Sequence, residues 1–119
     1  FYQVENVAIV DLTVQGFQQD GINVFNNARG VHLSGIISRG NGRSGITVGG
    51  ACGAVIEACL LGNNGKAQLL TLPYCEVQVI NSYLLGNTAP GWVDKGGRVY
   101  LNGQQIHGGR DELQPPEAP

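Results

Sequence analysis

Short stretches in which apolar and polar residues alternate recur along this chain at a nearly constant interval. They begin at residues 7, 31, 54 and 77. Alternation with a period of two is typical of a strand with one buried face. A repeat whose interval hardly varies predicts one structural unit that stacks on its neighbours.

A second apolar stretch follows each of the first three, at residues 20–25, 44–49 and 67–72, and Gly/Asn turns separate the stretches. Each interval therefore predicts two or three short strands joined by tight corners. No stretch keeps a helical period without glycine. The chain is predicted to be all-β: a single-stranded parallel β-helix of about four turns, with about 23 residues per turn.

Residues one period apart become neighbours when turns stack about 4.8 Å apart. The apolar positions then form continuous inward columns, and the fold needs no functional residue to explain it. The predicted columns are Val7, Val31, Ala54 and Val77; Ile9, Leu33, Ile56 and Val79; and Ile22, Ile46 and Leu69 or Leu70.

The succession of Asn6-Val7-Ala8-Ile9, Gly21-Ile22-Asn23-Val24 and the later asparagines resembles the right-handed parallel β-helix repeats of the pectin-lyase-like superfamily. The resemblance covers roughly residues 4–89. It implies a right-handed coil, in line with the general handedness of parallel crossovers, and a secreted or periplasmic protein. No enzyme motif of the superfamily is present: the aspartate pair with Gly-His-Gly, the Asp-Pro-His-Asp signature and the acidic calcium cluster are all missing.

Composition and charge restrict the partners. Nineteen glycines and ten asparagines suit tight turns. The net charge is −2 and the basic residues are scattered, so no nucleic-acid partner is expected. No apolar run is long enough for a membrane span. The N-terminus has no signal-peptide pattern, so either the protein is not exported or this chain is a mature or truncated form. The start in strand-like residues without methionine favours truncation.

Three cysteines, Cys52, Cys59 and Cys75, occur without a CxxC motif or a Cys/His cluster. Their odd number and spacing favour neither a disulfide framework nor a zinc site, and we expect no metal and no cofactor. Cys52 and Cys75 should stack as a reduced pair, with Arg29 in the preceding position. Cys59 falls in the column of Ile36.

Residues that could bind a ligand or react with it are expected in the columns whose side chains point away from the core. One period of the repeat separates Asp20 from Arg43, and one period separates Arg43 from Lys66, just before the second strand of each turn. An acid beside two bases could hold an anionic sugar, or deprotonate it while a cation neutralises its carboxylate. The alternative is a solvated ion-pair column without a chemical role.

Asp11 and Glu57 belong to a second predicted polar column, together with Ser34 and Asn81. Carboxylates two turns apart would be about 9–10 Å from each other, near the separation used for inverting glycoside hydrolysis. The alternative is that these residues close turns at strand ends.

His32 is predicted to point outward, in a column with Ala8, Val55 and Gln78. No partner that would tune its imidazole is expected in that column, and it could act as a base only beside a carboxylate.

Asn41, Asn64 and Asn87 also follow one another at intervals of one period. Stacked amides can hydrogen-bond along a ladder, and the alternatives are turn capping or contacts with sugar hydroxyls.

The C-terminal part departs from the repeat. Residues 99–106 predict a hairpin around Asn102-Gly103, or a partial fifth turn that begins at Tyr100. We expect a β-helix domain over residues 1–107 and a disordered, polar and proline-rich tail over 108–119. Because a solenoid leaves unpaired backbone groups at its ends, we expect a homo-oligomer formed through uncapped edges.

Two classes of function follow. The first is a carbohydrate-associated module that binds or modifies a polysaccharide along its side, as a lyase, hydrolase or epimerase if it is an enzyme. The second is a non-catalytic structural or self-assembling solenoid. A periplasmic metal-handling β-helix is disfavoured, because the chain has two histidines and no methionine.

Overall fold

The computed structural model describes residues 5–25 and 27–113, and every regular element in those ranges is a β-strand. Nothing within them forms a helix of the length and apolarity that a membrane span requires. The strands are β1 (Ala8–Val10), β2 (Thr13–Gln15), β3 (Ile22–Val24), β4 (Val31–Ser34), β5 (Ile37–Arg39), β6 (Ser44–Val48), β7 (Gly53–Glu57), β8 (Leu60–Gly62), β9 (Ala67–Thr71), β10 (Glu76–Ile80), β11 (Tyr83–Leu84), β12 (Trp92–Asp94), β13 (Arg98–Leu101) and β14 (Gln104–Ile106).

Three sheets run the length of the coil, and each of the four turns adds one strand to each sheet. Sheet 1 has the order β1-β4-β7-β10-β13-β14, sheet 2 the order β2-β5-β8-β11, and sheet 3 the order β3-β6-β9-β12. All pairs are parallel except β13 with β14. The predicted all-β parallel coil of about four turns is confirmed.

The interior is filled by the apolar columns that the repeat predicts. Leu69 is the third-turn member of the sheet 3 column and is fully buried, while Leu70 is partly exposed beside Thr47 on the other face. Two of the columns are Ile9, Leu33, Ile56 and Val79 in sheet 1, and Ile22, Ile46 and Leu69 in sheet 3.

The first turn is one residue longer than the two that follow. β1 pairs with β4 as Ala8 beside His32, an offset of 24, whereas β4 pairs with β7 as Val31 beside Ala54, an offset of 23. The extra residue is accommodated just before β4, where Gly30 has φ +63°. A Cβ there would lie 2.6 Å from an oxygen of the Asn6 side chain and 3.1 Å from the Asn6 backbone nitrogen, so glycine is favoured at this position.

Side-chain amides bridge turns inside the coil, but they do not form the predicted three-member ladder. Asn41 Nδ2 donates to Asn64 Oδ1 at 3.0 Å, and Asn64 Nδ2 donates to Gln68 Oε1 at 2.8 Å, all three residues being buried. Asn87 is exposed and hydrogen-bonds with Asn63 instead of stacking on Asn64. The amide contacts therefore form two separate groups, one in the interior from Asn41 through Asn64 to Gln68, and one at the surface between Asn63 and Asn87.

The C-terminal region combines both predicted alternatives. β13 stacks on β10 as the first strand of a fifth turn, and β14 folds back on β13 as a hairpin. Asn102 and Gly103 form its turn with φ values of +48° and +87°, as a tight hairpin requires. The fifth turn starts one residue earlier than predicted, because Val77 pairs with Val99 and not with Tyr100.

Residues 110–113 close the lower edge of the coil, where a disordered tail from residue 108 was expected. Arg110 exchanges two backbone hydrogen bonds with Trp92, each of 2.9 Å, and Leu113 exchanges two with Leu84, of 2.7 and 3.0 Å. Leu113 is 4% exposed. The backbone of this segment is paired although its side chains are mostly polar. The remainder of the predicted tail, 114–119, lies outside the described residues.

The opposite end of the coil is open in the part of the chain that the structure describes. No described strand pairs with the outer edge of β1, β2 or β3. Val10 is 61% exposed and Phe17 is 56% exposed, and Leu12 and Phe25 are also exposed. The upper edge is therefore unpaired in the described residues and the turn that forms it has exposed apolar side chains, whereas the lower edge is covered.

The three cysteines are buried free thiols. Cys59 follows Ile36 in its column, as predicted, because Leu60 donates to the Ile36 carbonyl. The residue above Cys52 is the buried Ala28, not the predicted Arg29, which follows from the longer first turn. Burial raises the pKa of Cys59, and burial raises the pKa of Cys75 to about 11.

Leu113→Ala tests whether the C-terminal segment is part of the fold. The variant removes a buried side chain, so we expect the free energy of unfolding to fall by about 2 kcal/mol. Urea unfolding followed by circular dichroism measures it, with the exposed Glu112→Ala as the matched control. A loss below about 0.5 kcal/mol, the range of surface substitutions, would show that the segment does not close the edge.

Candidate functional site

The outer face of sheet 1 presents polar side chains from every turn after the first. Alternation along the strands points these residues away from the core. The predicted column around His32 is confirmed by the register and continues into the hairpin. Its members are Ala8, His32, Val55, Gln78, Tyr100 and Gln105.

His32 has a carboxylate partner, contrary to the expectation from its column. Its Nε2 lies 2.9 Å from Oε1 of Glu57, and the two side chains are 45% and 42% exposed. Glu57 is one turn and two residues further along the chain, so it is a diagonal neighbour on the same face. The pair orients the imidazole beside an acceptor and leaves both groups accessible to a ligand.

A shallow groove of about 250 Å³ lies on the same sheet, at the starts of β4, β7 and β10 and at the corner before β4, and neither His32 nor Glu57 lines it. Gly30 and Gly53 have no side chains to fill it, and Gln78 and Glu76 border it. Arg98, in the next turn, places its guanidinium 3.9 Å from Oε2 of Glu76. The face therefore offers an imidazole, carboxylates, an amide and a guanidinium along one open surface.

Asp20 and Arg43 are in contact, but they form a structural cluster at the start of sheet 3. Asp20 Oδ1 accepts from Arg43 Nε at 2.8 Å and from the Ser44 hydroxyl at 2.6 Å. Asp20 Oδ2 accepts from Asn23 Nδ2 at 2.9 Å and from a second guanidinium nitrogen. Its side chain is 4% exposed.

Burial alone would raise the pKa of Asp20, but the hydrogen bonds and charge of Arg43, with the hydroxyl of Ser44, outweigh it and lower the pKa to about 2. Both carboxylate oxygens already accept two hydrogen bonds each. The arrangement holds two turns together and leaves no acceptor for a ligand, so the interpretation of Asp20 as a substrate-binding residue is not supported by its geometry.

Lys66 does not join this cluster. Its backbone N–H donates to the Arg43 carbonyl, so Lys66 follows Arg43 in the stack, while Asp20 lies beside Ser44. Lys66 is exposed. The predicted Asp20–Arg43–Lys66 column is therefore wrong by one residue at its first step, because the first turn contains the additional residue.

Asp11 and Glu57 do not share a column either. Ser34 pairs with both Val10 and Glu57, and Ile80 follows Glu57. Asp11 belongs to the adjacent corner and has φ +56°. Its carboxylate lies over Gly35, where a Cβ would be 2.3 Å from Oδ1. This position agrees with the alternative interpretation from the sequence, in which Asp11 closes a turn at the end of a strand.

The six candidate residues thus separate into two places on the molecule. His32 and Glu57 meet on the outer face of sheet 1, Asp20 and Arg43 meet at the start of sheet 3, and Asp11 and Lys66 join neither pair. The His32–Glu57 contact was missed because candidates were compared only along single columns. A separation of one period plus two residues, which places side chains diagonally on one face, is the signal that would have found it.

Among the residues that the structure describes, no group of three or more His, Cys, Asp and Glu side chains could hold a metal ion.

In the comparison with protein families, a model described as a right-handed β-helix region fits residues 20–114. The match spans the last strand of the first turn, the second to fourth turns, the hairpin and the segment that covers the lower edge. Comparison with curated proteins and with solved structures finds no match.

The Asp20 cluster makes stability depend on pH. Because the folded pKa is about 2 and the ordinary value is 3.8, the contribution is complete above about pH 4 and is lost as the pH falls toward 2. We expect Asp20→Asn to lower the free energy of unfolding by about 1–2 kcal/mol at pH 7, and by progressively less between pH 4 and 2.

Denaturant unfolding at several pH values measures this difference, with Glu112→Gln as the control for an exposed carboxylate. A difference between wild type and Asp20→Asn that stays constant from pH 7 to 2 would contradict the assignment.

Proposed function

This chain belongs to the right-handed β-helix family, and from that premise we propose that it is a carbohydrate-associated module. It binds a polysaccharide along the outer face of sheet 1. The observation that carries the proposal is the contact of His32 with Glu57 on that face, which also has a shallow groove lined in part by Gly30 and Gly53.

The polar groups on this face suit the hydroxyl groups of a sugar chain. A carboxylate accepts hydrogen bonds, an amide such as that of Gln78 both donates and accepts, and an imidazole does either according to its tautomer. Because these groups recur in successive turns, an extended ligand laid along the coil axis meets new partners at each turn. Binding sites of this kind use a few placed polar groups on a preformed surface.

Sheet 1 is favoured over the other two faces for specific reasons. The acid of sheet 3, Asp20, is buried and its oxygens are occupied. The outward column of sheet 2 is apolar at Ile37, Leu60 and Tyr83. Sheet 1 has accessible charged and amide groups on the same strands.

If the module also modifies its ligand, as a lyase, hydrolase or epimerase would, His32 is the group suited to accept a proton, with Glu57 orienting the ring.

A set of acidic and neutral polysaccharides tests the proposal. We expect the wild-type chain to be retarded in affinity electrophoresis by at least one of them. His32→Ala and Glu57→Ala should each weaken binding about tenfold, since each removes one side of the pair, a loss of about 1.4 kcal/mol. New reducing ends and the ultraviolet absorbance of unsaturated products would report chemistry.

Arg39→Ala is the matched control, because Arg39 lies on the outer face of sheet 2 and its side chain hydrogen-bonds only with Gln15 among the described residues. A folded wild-type chain that binds no polysaccharide would refute the proposal, as would His32→Ala and Glu57→Ala variants that bind as tightly as the control.

A second function, self-assembly, is favoured by the difference between the two ends of the coil. The lower edge is covered by β14 and residues 110–113, whereas the described upper edge has unpaired strands and exposed apolar side chains such as Phe17 and Phe25. Unpaired strand edges pair with another chain. With one open edge in the described part of the coil, two copies associate through the same surface, which closes as a dimer and does not grow into a filament.

Light scattering coupled to size exclusion tests the association. We expect twice the chain mass of 12.5 kDa. Phe17→Asp should return the monomer, since it places a charge on the open edge, whereas Leu60→Asp on sheet 2 should not. A wild-type monomer at high concentration, or a series of larger assemblies, would contradict the dimer.

A further inference from the structure

Tyr74 is the most exposed large apolar or aromatic residue of the described chain, at 85%. It lies at the corner between sheet 3 and sheet 1, two residues before the first residue of β10. The ring therefore stands at the margin of the face that carries His32 and Glu57. A phenol ring with no packing role at such a place has the flat apolar surface on which a sugar ring stacks.

The backbone of Tyr74 is in an unfavourable conformation for its side chain. Its φ is +70°, and Cys75 N–H donates to the Leu72 carbonyl at 3.4 Å, closing a turn with Pro73 in second position. Such a turn needs φ > 0 at its third residue and favours glycine or asparagine there. A large residue at this conformation, without burial to compensate, directs attention to function.

The corner geometry leaves space under the ring. The consecutive strands β9 and β10 are separated by residues 72–75, whereas only residues 95–97 separate β12 and β13, the strands on which they stack in the next turn. Tyr74 therefore has no residue directly in register below it. A groove of about 450 Å³ is present there, lined by Pro73, Tyr74, Cys75, Gly96, Gly97 and Arg98.

Arg98 supplies a charged group in the same groove. Its side chain is 62% exposed, and its nearest carboxylate, on Glu76, is at 3.9 Å, too far for a hydrogen bond. Within the described ranges its guanidinium makes no hydrogen bond. A planar guanidinium with free N–H groups binds a carboxylate through two parallel hydrogen bonds.

We propose that Tyr74 and Arg98 form a binding position for one sugar unit that carries a carboxylate. The pyranose ring stacks on the phenol and the carboxylate pairs with the guanidinium. This inference rests on the proposed function, and it adds a residue and a ligand class: the sheet 1 surface extends around the corner to Tyr74 and takes an acidic polysaccharide.

Isothermal titration with a linear hexamer of a uronic acid tests the proposal in the full chain. We expect Tyr74→Gly and Arg98→Ala each to weaken binding at least tenfold. Tyr74→Phe, which keeps the ring, should bind within twofold of wild type. Tyr83→Ala, which removes another exposed tyrosine from sheet 2, is the matched control and should bind as wild type does.

Stability separates a binding role from a structural one. Because glycine readily adopts the positive φ of this position, Tyr74→Gly should unfold at the same temperature as wild type or higher, while losing the hexamer. A lower unfolding temperature together with lost binding would overturn the assignment, since the loss would then follow from damage to the corner.

The remaining outcomes distinguish this inference from the proposed function. If Tyr74→Gly binds the uronic acid hexamer as tightly as wild type, the Tyr74 position is wrong and the sheet 1 proposal stands. If wild type binds a neutral polysaccharide but not the hexamer, the acidic ligand class is wrong and the sheet 1 proposal again stands. If wild type binds neither, both are wrong.

Discussion

The structure depends on one constraint: each turn must return over its own start so that its backbone pairs with the turn before. The closure is achieved at corners where the chain takes positive φ. At the corner between sheets 1 and 2, the same stacked position has φ +56° at Asp11, +64° at Gly35, +52° at Ala58 and +46° at Asn81. Only one of these is glycine, so inter-turn hydrogen bonding and core burial outweigh the local preference of the other three.

This constraint explains which predictions from sequence succeeded. The inward columns were correct because a core position tolerates little besides an apolar side chain, so every turn repeats the signal. The outward columns of Asp20 and Asp11 were wrong by one residue, because outward positions carry no such repeated signal. The additional residue at Gly30 already lengthens the interval between the stretches that begin at residues 7 and 31, but a uniform period of 23 applied to the outward columns overlooks it.

The two ends of the chain show a second limit of sequence patterns. Residues 110–113 cover the lower edge through backbone hydrogen bonds, for which any side chain suffices. Leu113 alone supplies a buried apolar side chain there. A polar composition therefore indicated disorder where the backbone is paired. The His32–Glu57 contact was missed for a related reason, since a diagonal contact depends on strand register as well as on period.

The buried thiols give the coil an internal reporter of its motions. Burial disfavours the thiolates of Cys59 and Cys75, and the thiolate is the form that alkylating reagents attack. Modification then waits for a turn to lift away from its neighbour. Cys52 and Cys75 lie at one corner of adjacent turns, so the order in which the three are labelled would reveal from which end the solenoid frays.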